Sequence, residues 1–428
     1  MNTHKMNNHK LTVTYFYLLF FISLVVAYET LCEAKKALVI VPVADLVGQP
    51  LSTSNVLFTY HNIPLAAGTP KQSAVCPRLH QLLFNEIVDV IEEQDDEVQV
   101  NIATVYHLIQ ISKKPQITYW THKKNLVQLN DLEKRKIAIH KIPSPIDFNN
   151  PSLKTTHSNT ITLLFPWVNP ITKQVFSSGT RFVLTPQQLQ KNYYSIYLFN
   201  PMNFSFTETA IPKQLCLHYN NLHNNGERIA LFIQLLHKWA HQDNGFIPYV
   251  WGGCSFINAC KKDMFTSHEI KNKKQDLSYF VRDEIQGNPK NGFDCSGLIA
   301  RAAQICGIPY FLKNTTTLAV QLASLQKKEK LHEGDLIWMP GHVMVVANII
   351  NNTIIEARGY RAGYGKIHEL PLHKVFKDIT TFSDLQQTYF NNKPLYLLSK
   401  ENEISSTITT YKLLKLASIW NQQASHKS

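Results

Sequence analysis

The spacing of apolar residues differs between the two halves of the chain. In the first half, KALVIVPVADL (36–46) is a run rich in β-forming residues, and apolar and polar residues alternate in QLLFNEIVDVIEEQDDEVQVNI (81–102). A period of two is typical of strands with one buried face. The acidic stretch from Glu92 to Asp96 predicts the turn of a hairpin on that sheet.

A second β-rich segment covers TITLLFPWV (160–168), KQVFSSGTRFVL (173–184) and YYSIYLF (193–199). The middle run contains a Ser-Ser-Gly turn, so it is expected to fold back on itself. Short strands separated by turn residues are typical of small barrels. Both segments are therefore predicted to be small β-barrels.

From Asn224 onward the period lengthens. Apolar residues recur every three or four positions in GERIALFIQLLHKWAHQ (226–242) and again in NGFDCSGLIARAAQICG (291–307), which predicts two amphipathic helices. Two β-branched runs follow, GHVMVVANI (341–349) and TIIEARG (353–359), with turn residues between them. Helices followed by an antiparallel meander indicate an α+β domain.

The N-terminus has the pattern of a secretory signal peptide. Lys5 and Lys10 precede an apolar segment (15–27), and small residues at the cleavage-defining positions end at Ala34. Cys32 lacks the preceding small residues of a lipoprotein site. Elsewhere no run reaches the roughly 18 apolar residues of a membrane span. We therefore expect an exported protein, periplasmic or extracellular, with no stable membrane anchor.

Length, composition and net charge limit the number of domains and the classes of binding partner that can be expected. The 428 residues are enough for two or three domains, and 44% hydrophobic with 17% charged residues indicates a globular chain. The formal net charge of +12 fits either a basic solvated surface or attraction to a polyanion such as a bacterial wall. No recognition motif accompanies the charge, so nucleic acid is not an expected partner. Oligomeric state stays open.

Cysteine usage does not decide the redox state. Cleavage after Ala34 leaves six cysteines, sparse for a chain of this length, and the even count permits three disulfides. Of these, Cys254 and Cys260 are near enough in sequence to pair across a short loop. No cysteine–histidine cluster has zinc spacing, so neither a metal nor another cofactor is expected. The six are Cys76, Cys216, Cys254, Cys260, Cys295 and Cys306.

Cys295 is the strongest candidate for chemistry. It opens a predicted helix, where backbone N–H groups favour a thiolate, and Asp294 occupies the cap position. His342 begins an apolar strand and is the candidate base, since a cysteine nucleophile needs one within reach. Glu356 lies inside the next apolar run. On adjacent antiparallel strands it faces the same side as His342 and can orient the imidazole.

Each of these residues also has a structural interpretation. A cysteine that opens a helix is usually a small buried hydrophobe, and a histidine in a strand is usually structural. Glu356 fits an edge charge that prevents aggregation. His368, in GKIHEL, is a competing candidate for orienting the base. The order of cysteine, histidine and carboxylate, each on the expected element, favours catalysis.

The successive motifs PYVWGG, GFDCSGLI, GDLIWM, GHVMVV and TIIEARG resemble those of the NlpC/P60 cysteine peptidases, over about residues 224–400. The resemblance implies a papain-like core that cleaves peptidoglycan stem peptides. QLLFNEIVDVIEEQDDEVQV also resembles part of a bacterial SH3-like domain, and VFSSGTRFVL resembles a second one. Two such domains before the peptidase are similar to the γ-D-glutamyl-L-diamino acid endopeptidases.

Residue roles follow from the resemblance. It makes Cys295 the nucleophile and His342 the base, and the Cys295 backbone N–H is a candidate oxyanion donor. Tyr249 matches a tyrosine that lines the site. Asp294 and Ser296 match positions that hold the N-terminus of the substrate, while the SH3-like domains can close one end of the groove. We therefore expect a substrate with a free N-terminal amine.

Two departures accompany the resemblance. The third position of the triad is commonly histidine, asparagine or glutamine, and here it is Glu356. The motifs PYVWGG and GFDCSG usually lie close together, but here the lysine-rich segment 255–290 separates them. An acyltransferase or amidase on the same Cys–His core remains an alternative function, as does an inactive wall-binding protein.

The predicted organisation is an α+β chain in which two small SH3-like β-barrels precede a papain-like NlpC/P60 catalytic domain. Its segments are a signal peptide (1–34), a first SH3-like domain (35–148), a second SH3-like domain (149–223), the cysteine peptidase domain (224–400) and a C-terminal tail (401–428).

Overall fold

The computed structural model describes residues 35–53, 59–60, 63, 76–102, 105–109, 114–146, 159–186, 191–218, 221–243, 245–259, 291–359, 362 and 364–421. The predicted signal peptide, Cys260 and most of the lysine-rich segment lie outside these residues. Within the described ranges the fold is mixed α/β, as predicted. No helix there is both long enough and apolar enough to cross a membrane, and no disulfide bond is present there.

The first β-rich segment forms a seven-stranded sheet in the order β3-β2-β7-β5-β4-β1-β8. Its predicted hairpin is present, with the turn at Asp95, whose φ is 47°. The elements of this segment are β1 (Lys35–Val39), β2 (Val43–Val47), β3 (Arg78–Leu83), β4 (Ile87–Gln94), β5 (Glu97–Asn101), β6 (Tyr106–His107), β7 (Thr118–His122), β8 (Leu126–Gln128) and helix α1 (Leu129–Lys134).

The second β-rich segment forms a three-stranded sheet, β12-β9-β15, and two separate hairpins, β10-β11 and β13-β14. Phe176 packs edge-on against Phe84 of the first segment at 5.0 Å between ring centroids, so the two segments share a hydrophobic cluster. The strands are β9 (Thr160–Leu163), β10 (Trp167–Val168), β11 (Val175–Phe176), β12 (Arg181–Val183), β13 (Tyr193–Asn200), β14 (Ser205–Pro212) and β15 (Cys216–His218).

The predicted barrels are a point of difference. Among the described residues the sheets are open, and the seven-stranded sheet ends at β3 on one side and β8 on the other. Strand β3 packs instead against the second half of the chain, where Gln81 accepts hydrogen bonds from the Cys254 backbone N–H and the Ser255 hydroxyl. This contact occupies a strand that would have to pair with β8 for the sheet to close.

The second half is built around a five-stranded antiparallel sheet, β22-β21-β20-β19-β25. Its elements are α2 (Asn225–Ala240), β16 (Cys254–Ser255), β17 (Gly292–Phe293), α3 (Cys295–Ile305), β18 (Leu312–Lys313), α4 (Thr315–Gln321), β19 (Leu336–Met339), β20 (His342–Asn348), β21 (Thr353–Arg358), β22 (Lys366–Pro371), α5 (Leu372–Val375), α6 (Phe382–Phe390), β23 (Leu395–Leu398), β24 (Ile404–Ile408) and β25 (Lys412–Leu414).

Both faces of this sheet are covered, which explains its uninterrupted apolar runs. Val343 and Val345 pack on one side with Phe232 of α2 and Leu298 of α3. On the other side, Met344, Val346 and Ile354 pack with Phe376 and Leu385 from the end of α5 and from α6. The helices that carry the candidate chemistry are therefore fixed against the sheet by a continuous core.

The sheet extends beyond residue 400. Strand β25 comes from the segment predicted to be a C-terminal tail, and it pairs with β19 through Leu413↔Ile337. Leu413 and Leu414 are fully buried. Their apolar side chains fill the sheet edge beside β19, so this part of the predicted tail belongs to the core.

Polar contacts join the two halves. Arg301 of α3, 4% exposed, donates to the Glu86 carboxylate at 3.0 Å and to the backbone carbonyls of Gln81 and Cys254. Strand β6 also pairs in parallel with β18, with Tyr106 opposite Leu312. The N-terminal segments are thus packed directly against the elements on either side of Cys295.

Candidate active site

Cys295 is the first residue of α3 and is 8% exposed. Asp294 caps this helix, since its side chain accepts a hydrogen bond from the Gly297 backbone N–H. A Cβ atom at Gly297 would lie 2.1 Å from the Gly253 carbonyl oxygen, so only glycine allows the helix to begin this close to the preceding loop. The thiol therefore sits at a capped helix N-terminus, among backbone N–H groups that make no intrahelical bond.

His342 lies between the thiol and a carboxylate. Its ring interacts electrostatically with Cys295, and its Nε2 lies 2.5 Å from Glu356 Oε2. Burial alone would lower the pKa of His342, but its interactions with Cys295 and Glu356 raise it to about 10. At neutral pH the ring is therefore an imidazolium whose positive charge lies against the Glu356 carboxylate.

Glu356 is the centre of a buried polar cluster. It is 1% exposed, and its Oε1 lies 2.9 Å from His368 Nε2 and 3.7 Å from Arg358 Nη1. Burial would raise the pKa of Glu356, but the hydrogen bonds from His342 and His368 outweigh it and hold the pKa well below its usual range. The carboxylate is charged at neutral pH and balances the imidazolium.

The structure separates the two candidates for orienting the base. Glu356 contacts His342 directly, whereas His368 contacts the other oxygen of Glu356. The register of β21 and β22 places Glu356 opposite His368, so both side chains project from the same face of the sheet. Glu356 is therefore in position to orient the base, and His368 is in position to hold Glu356.

A cleft of about 310 Å³ opens at Cys295. Tyr249 and Trp251 line it from the loop before β16, and His107 and Gln116 line it from the first β-rich segment. The cleft is therefore bounded by both halves of the chain. Burial and the nearby Lys313 charge lower the pKa of His107 to about 4, so its imidazole is neutral there.

Asp294 and Ser296 lie beside Cys295 in the cleft, but their polar atoms already have partners. Ser296 Oγ donates to Asp294 Oδ1 at 2.9 Å. The buried ammonium of Lys313 donates to Asp294 Oδ2 at 2.7 Å. A substrate amine that contacts this carboxylate would therefore share it with Lys313.

Sequence reasoning missed several residues that line the cleft. Lys313 and His107 occur in no recognisable motif, and they meet only because β6 pairs with β18. Arg78 is fully buried, held by two hydrogen bonds to Asp45, and it donates to the Trp251 carbonyl. Contacts of this kind depend on long-range packing and leave no local signal.

No protein-family model and no curated protein matches the sequence. Two solved structures are similar to the chain. An NlpC/P60 family protein from Bacillus cereus is 16% identical, with a TM-score of 0.48, over 79% of this chain and 94% of its own. The peptidoglycan hydrolase RipB from Mycobacterium tuberculosis is 20% identical, with a TM-score of 0.22, over 40% of this chain and 68% of its own.

Proposed function

We propose that the protein is a cysteine peptidase of the NlpC/P60 type that hydrolyses amide bonds in peptidoglycan stem peptides. The observation that carries the proposal is the continuous chain of contacts from Cys295 through His342 to the buried Glu356 carboxylate, at the base of a cleft. RipB, one of the similar proteins, is a peptidoglycan hydrolase.

The proposed reaction uses the groups that lie at the cleft. The Cys295 sulfur attacks the carbonyl carbon, and the carbonyl electron pair moves to oxygen. The Cys295 backbone N–H is placed to stabilise that oxyanion, because the first N–H groups of a helix make no intrahelical bond. The imidazolium of His342 then donates its proton to the departing nitrogen as the C–N bond breaks.

Deacylation uses the same residues in reverse. His342, now neutral, takes a proton from water while the water oxygen attacks the thioester carbon. The C–S bond breaks and the thiolate of Cys295 is restored next to the imidazolium. Glu356 stays ionised throughout, fixing the ring so that one nitrogen faces the carboxylate and the other faces the sulfur.

We propose further that the bond cleaved joins the γ-carboxyl of D-glutamate to a diamino acid, and that the substrate carries a free N-terminal amine. Asp294 and Ser296 support the second point, because a carboxylate beside the nucleophile can pair with an ammonium. His107 and Gln116 close one side of the cleft, which favours short, unanchored stems over stems still attached to glycan. Export and the SH3-like identity of the N-terminal segments stay predictions within this proposal.

Defined peptides test the bond. A stem tetrapeptide with the γ-D-glutamyl link and its α-linked isomer are each incubated with the protein. The fragments are then separated and their masses are measured by mass spectrometry. We expect cleavage of the γ-linked peptide alone. Cleavage of both, or of neither, would contradict the assigned bond. Adding a primary amine distinguishes the alternative, because an acyltransferase would form the amide of that amine in place of the free acid.

A further inference from the structure

Two histidines and a glutamate meet on the edge of the second half, outside the candidate active site. His237 and His241 are one turn apart at the end of α2, and Glu369 lies on β22. His237 Nδ1 is 2.7 Å from Glu369 Oε2, and His241 Nε2 is 2.8 Å from the same oxygen. One ligand atom from each residue lies within 4.8 Å of the other two.

The carboxylate of this cluster is held in place. Thr353 of β21 donates its hydroxyl to Glu369 Oε1, so Oε2 is the oxygen left to face the two rings. The side chain of Glu369 is 12% exposed, whereas those of His237 and His241 are 32% and 64% exposed. An ion can reach the cluster from solvent, and the carboxylate that would bind it is already oriented.

The donor set and its size fit a small transition-metal ion. Two imidazole nitrogens and a carboxylate oxygen form one of the common zinc sets, with metal–ligand distances of about 2.0–2.2 Å. Tetrahedral ligands at such distances lie about 3.3 Å apart. The present separations of 2.7 and 2.8 Å are hydrogen-bond distances. For an ion to enter, His237 Nδ1 and His241 Nε2 must each move about half an ångström away from Glu369 Oε2, and both rings are partly exposed.

We propose that His237, His241 and Glu369 bind a divalent transition-metal ion such as Zn²⁺, with Thr353 orienting the carboxylate. The fourth position faces solvent on the side of His241 and takes a water molecule. A bound metal ion would link the end of α2 to Glu369 on β22. The residue before Glu369, His368, contacts Glu356. The site contains none of Cys295, His342 and Glu356, so metal binding can be measured without the proposed peptidase activity.

Metal binding is measured directly, with Zn²⁺ alone as the probe. The parent for all measurements carries Cys295→Ala, because an active-site thiolate is itself a zinc ligand. Calorimetric titration and equilibrium dialysis with metal analysis give affinity and stoichiometry. Visible absorption of the Co²⁺ form reports coordination by nitrogen and oxygen ligands. We expect one tight equivalent of Zn²⁺ in the parent.

Single substitutions identify the ligands. His237→Ala, His241→Ala and Glu369→Gln are each expected to weaken Zn²⁺ binding by more than the about 10- to 100-fold that loss of an outer-shell partner costs. Thr353→Val removes such a partner and is expected to fall within that range. His373→Ala, an exposed histidine on α5, serves as the matched control and is expected to keep the parent affinity.

Unfolding of a variant can be distinguished from the loss of a metal ligand. His241 is 64% exposed, so His241→Ala leaves the core intact, and thermal melting without metal checks every variant. Zn²⁺ is expected to raise the melting temperature of the parent and of His373→Ala, but not that of the three ligand variants. The proposal is overturned if the parent binds no Zn²⁺, or if all three ligand variants bind Zn²⁺ with the affinity of the parent. In either case the cluster is a hydrogen-bonded surface contact.

Discussion

The same chemical group, two imidazoles on one carboxylate, occurs twice on strand β22 and its neighbours. In the inner cluster, His342 and His368 bind different oxygens of Glu356, whose side chain is fully buried. In the outer cluster, His237 and His241 both approach Oε2 of Glu369. The two clusters use adjacent residues, His368 and Glu369, because successive side chains of a strand project from opposite faces.

The difference in geometry separates two kinds of chemistry. Rings on opposite oxygens form a line from His368 through Glu356 to His342, whose pKa responds to Cys295. Rings that converge on one oxygen leave a common point that an ion could occupy. Burial strengthens the interactions between the charges of the inner cluster, while exposure keeps the outer cluster accessible. Identical residue types thus suit the proposed catalysis in one place and the proposed ion binding in the other.

The largest effect is expected at Cys295, which the inner cluster has and the outer one lacks. Cys295→Ala should lower kcat on stem peptides by about 10⁴-fold or more, because the residual rate then rests on binding alone. Cys306→Ala, at the other end of the same helix and fully buried, is the matched control and should retain turnover. Equal turnover by wild type and Cys295→Ala would remove Cys295 as the nucleophile.

Glu356 should give the next largest effect. Glu356→Ala is expected to lower kcat by about 10²- to 10³-fold, within the usual contribution of a correctly held acid–base group. Glu356→Gln keeps an acceptor oxygen but loses the charge, so it should retain more activity than the alanine variant. The exposed Glu403→Gln is the control. If Glu356→Ala matches wild type, Cys295 and His342 act as a dyad.

Blocking the amine of the substrate should give a smaller effect. N-acetylation of a stem tripeptide removes an ammonium–carboxylate contact worth about 2 kcal/mol, close to 30-fold in kcat/KM. Asp294→Asn removes the carboxylate and leaves the positive charge of Lys313, which lies 2.7 Å from it in the wild type. This variant should therefore lose the preference for the free amine. Equal kcat/KM for the two tripeptides with the wild-type protein would favour an enzyme that acts on glycan-linked stems.

The smallest effect is a displacement along the pH axis. The pKa of His342 is raised to about 10, so the imidazolium persists through neutral pH and is lost as the pH rises through that value. The alkaline limb of kcat/KM, which reports the protein without substrate, should therefore lie near pH 10 in the wild type. Glu356→Gln removes a charge that raises this pKa, so the limb should move to lower pH. His368→Ala, which only loosens Glu356, should move it less. A limb that stays fixed in both variants would place Glu356 outside the electrostatic environment of the base.

Local signals explain which parts of this comparison could be predicted from sequence. Asp294 and Cys295 adjoin a helical pattern, and the alternation around His342 and Glu356 predicts neighbouring strands with a common face. Those features depend on residues close in sequence. Of the outer cluster, the sequence indicates only the two histidines, which are four positions apart at the end of α2. Glu369 could not be added from the sequence because it is 128 residues beyond His241.

Features that depend on long-range packing could not be predicted in this way. Lys313 reaches Asp294 across the cleft, and the first β-rich segment adds His107 beside it because β6 pairs with β18. Short strands separated by turn residues predict small barrels, but such a local pattern does not specify which strands pair with one another. Strand β25 lies in the predicted tail because the sequence does not indicate its distant partner strand, β19. In the structure its apolar residues complete the sheet beside β19.

The most direct measurement uses stem peptides that an amidase has released from purified peptidoglycan, so that each carries a free N-terminal amine. They are digested in water enriched in ¹⁸O, and the products are examined by mass spectrometry. The wild-type protein is expected to give fragments with one ¹⁸O in each new D-glutamate carboxyl group, and Cys295→Ala is expected to give none. Absence of fragments from the wild-type digest, or identical labelled fragments from Cys295→Ala, would contradict a cysteine peptidase that acts on these stem peptides.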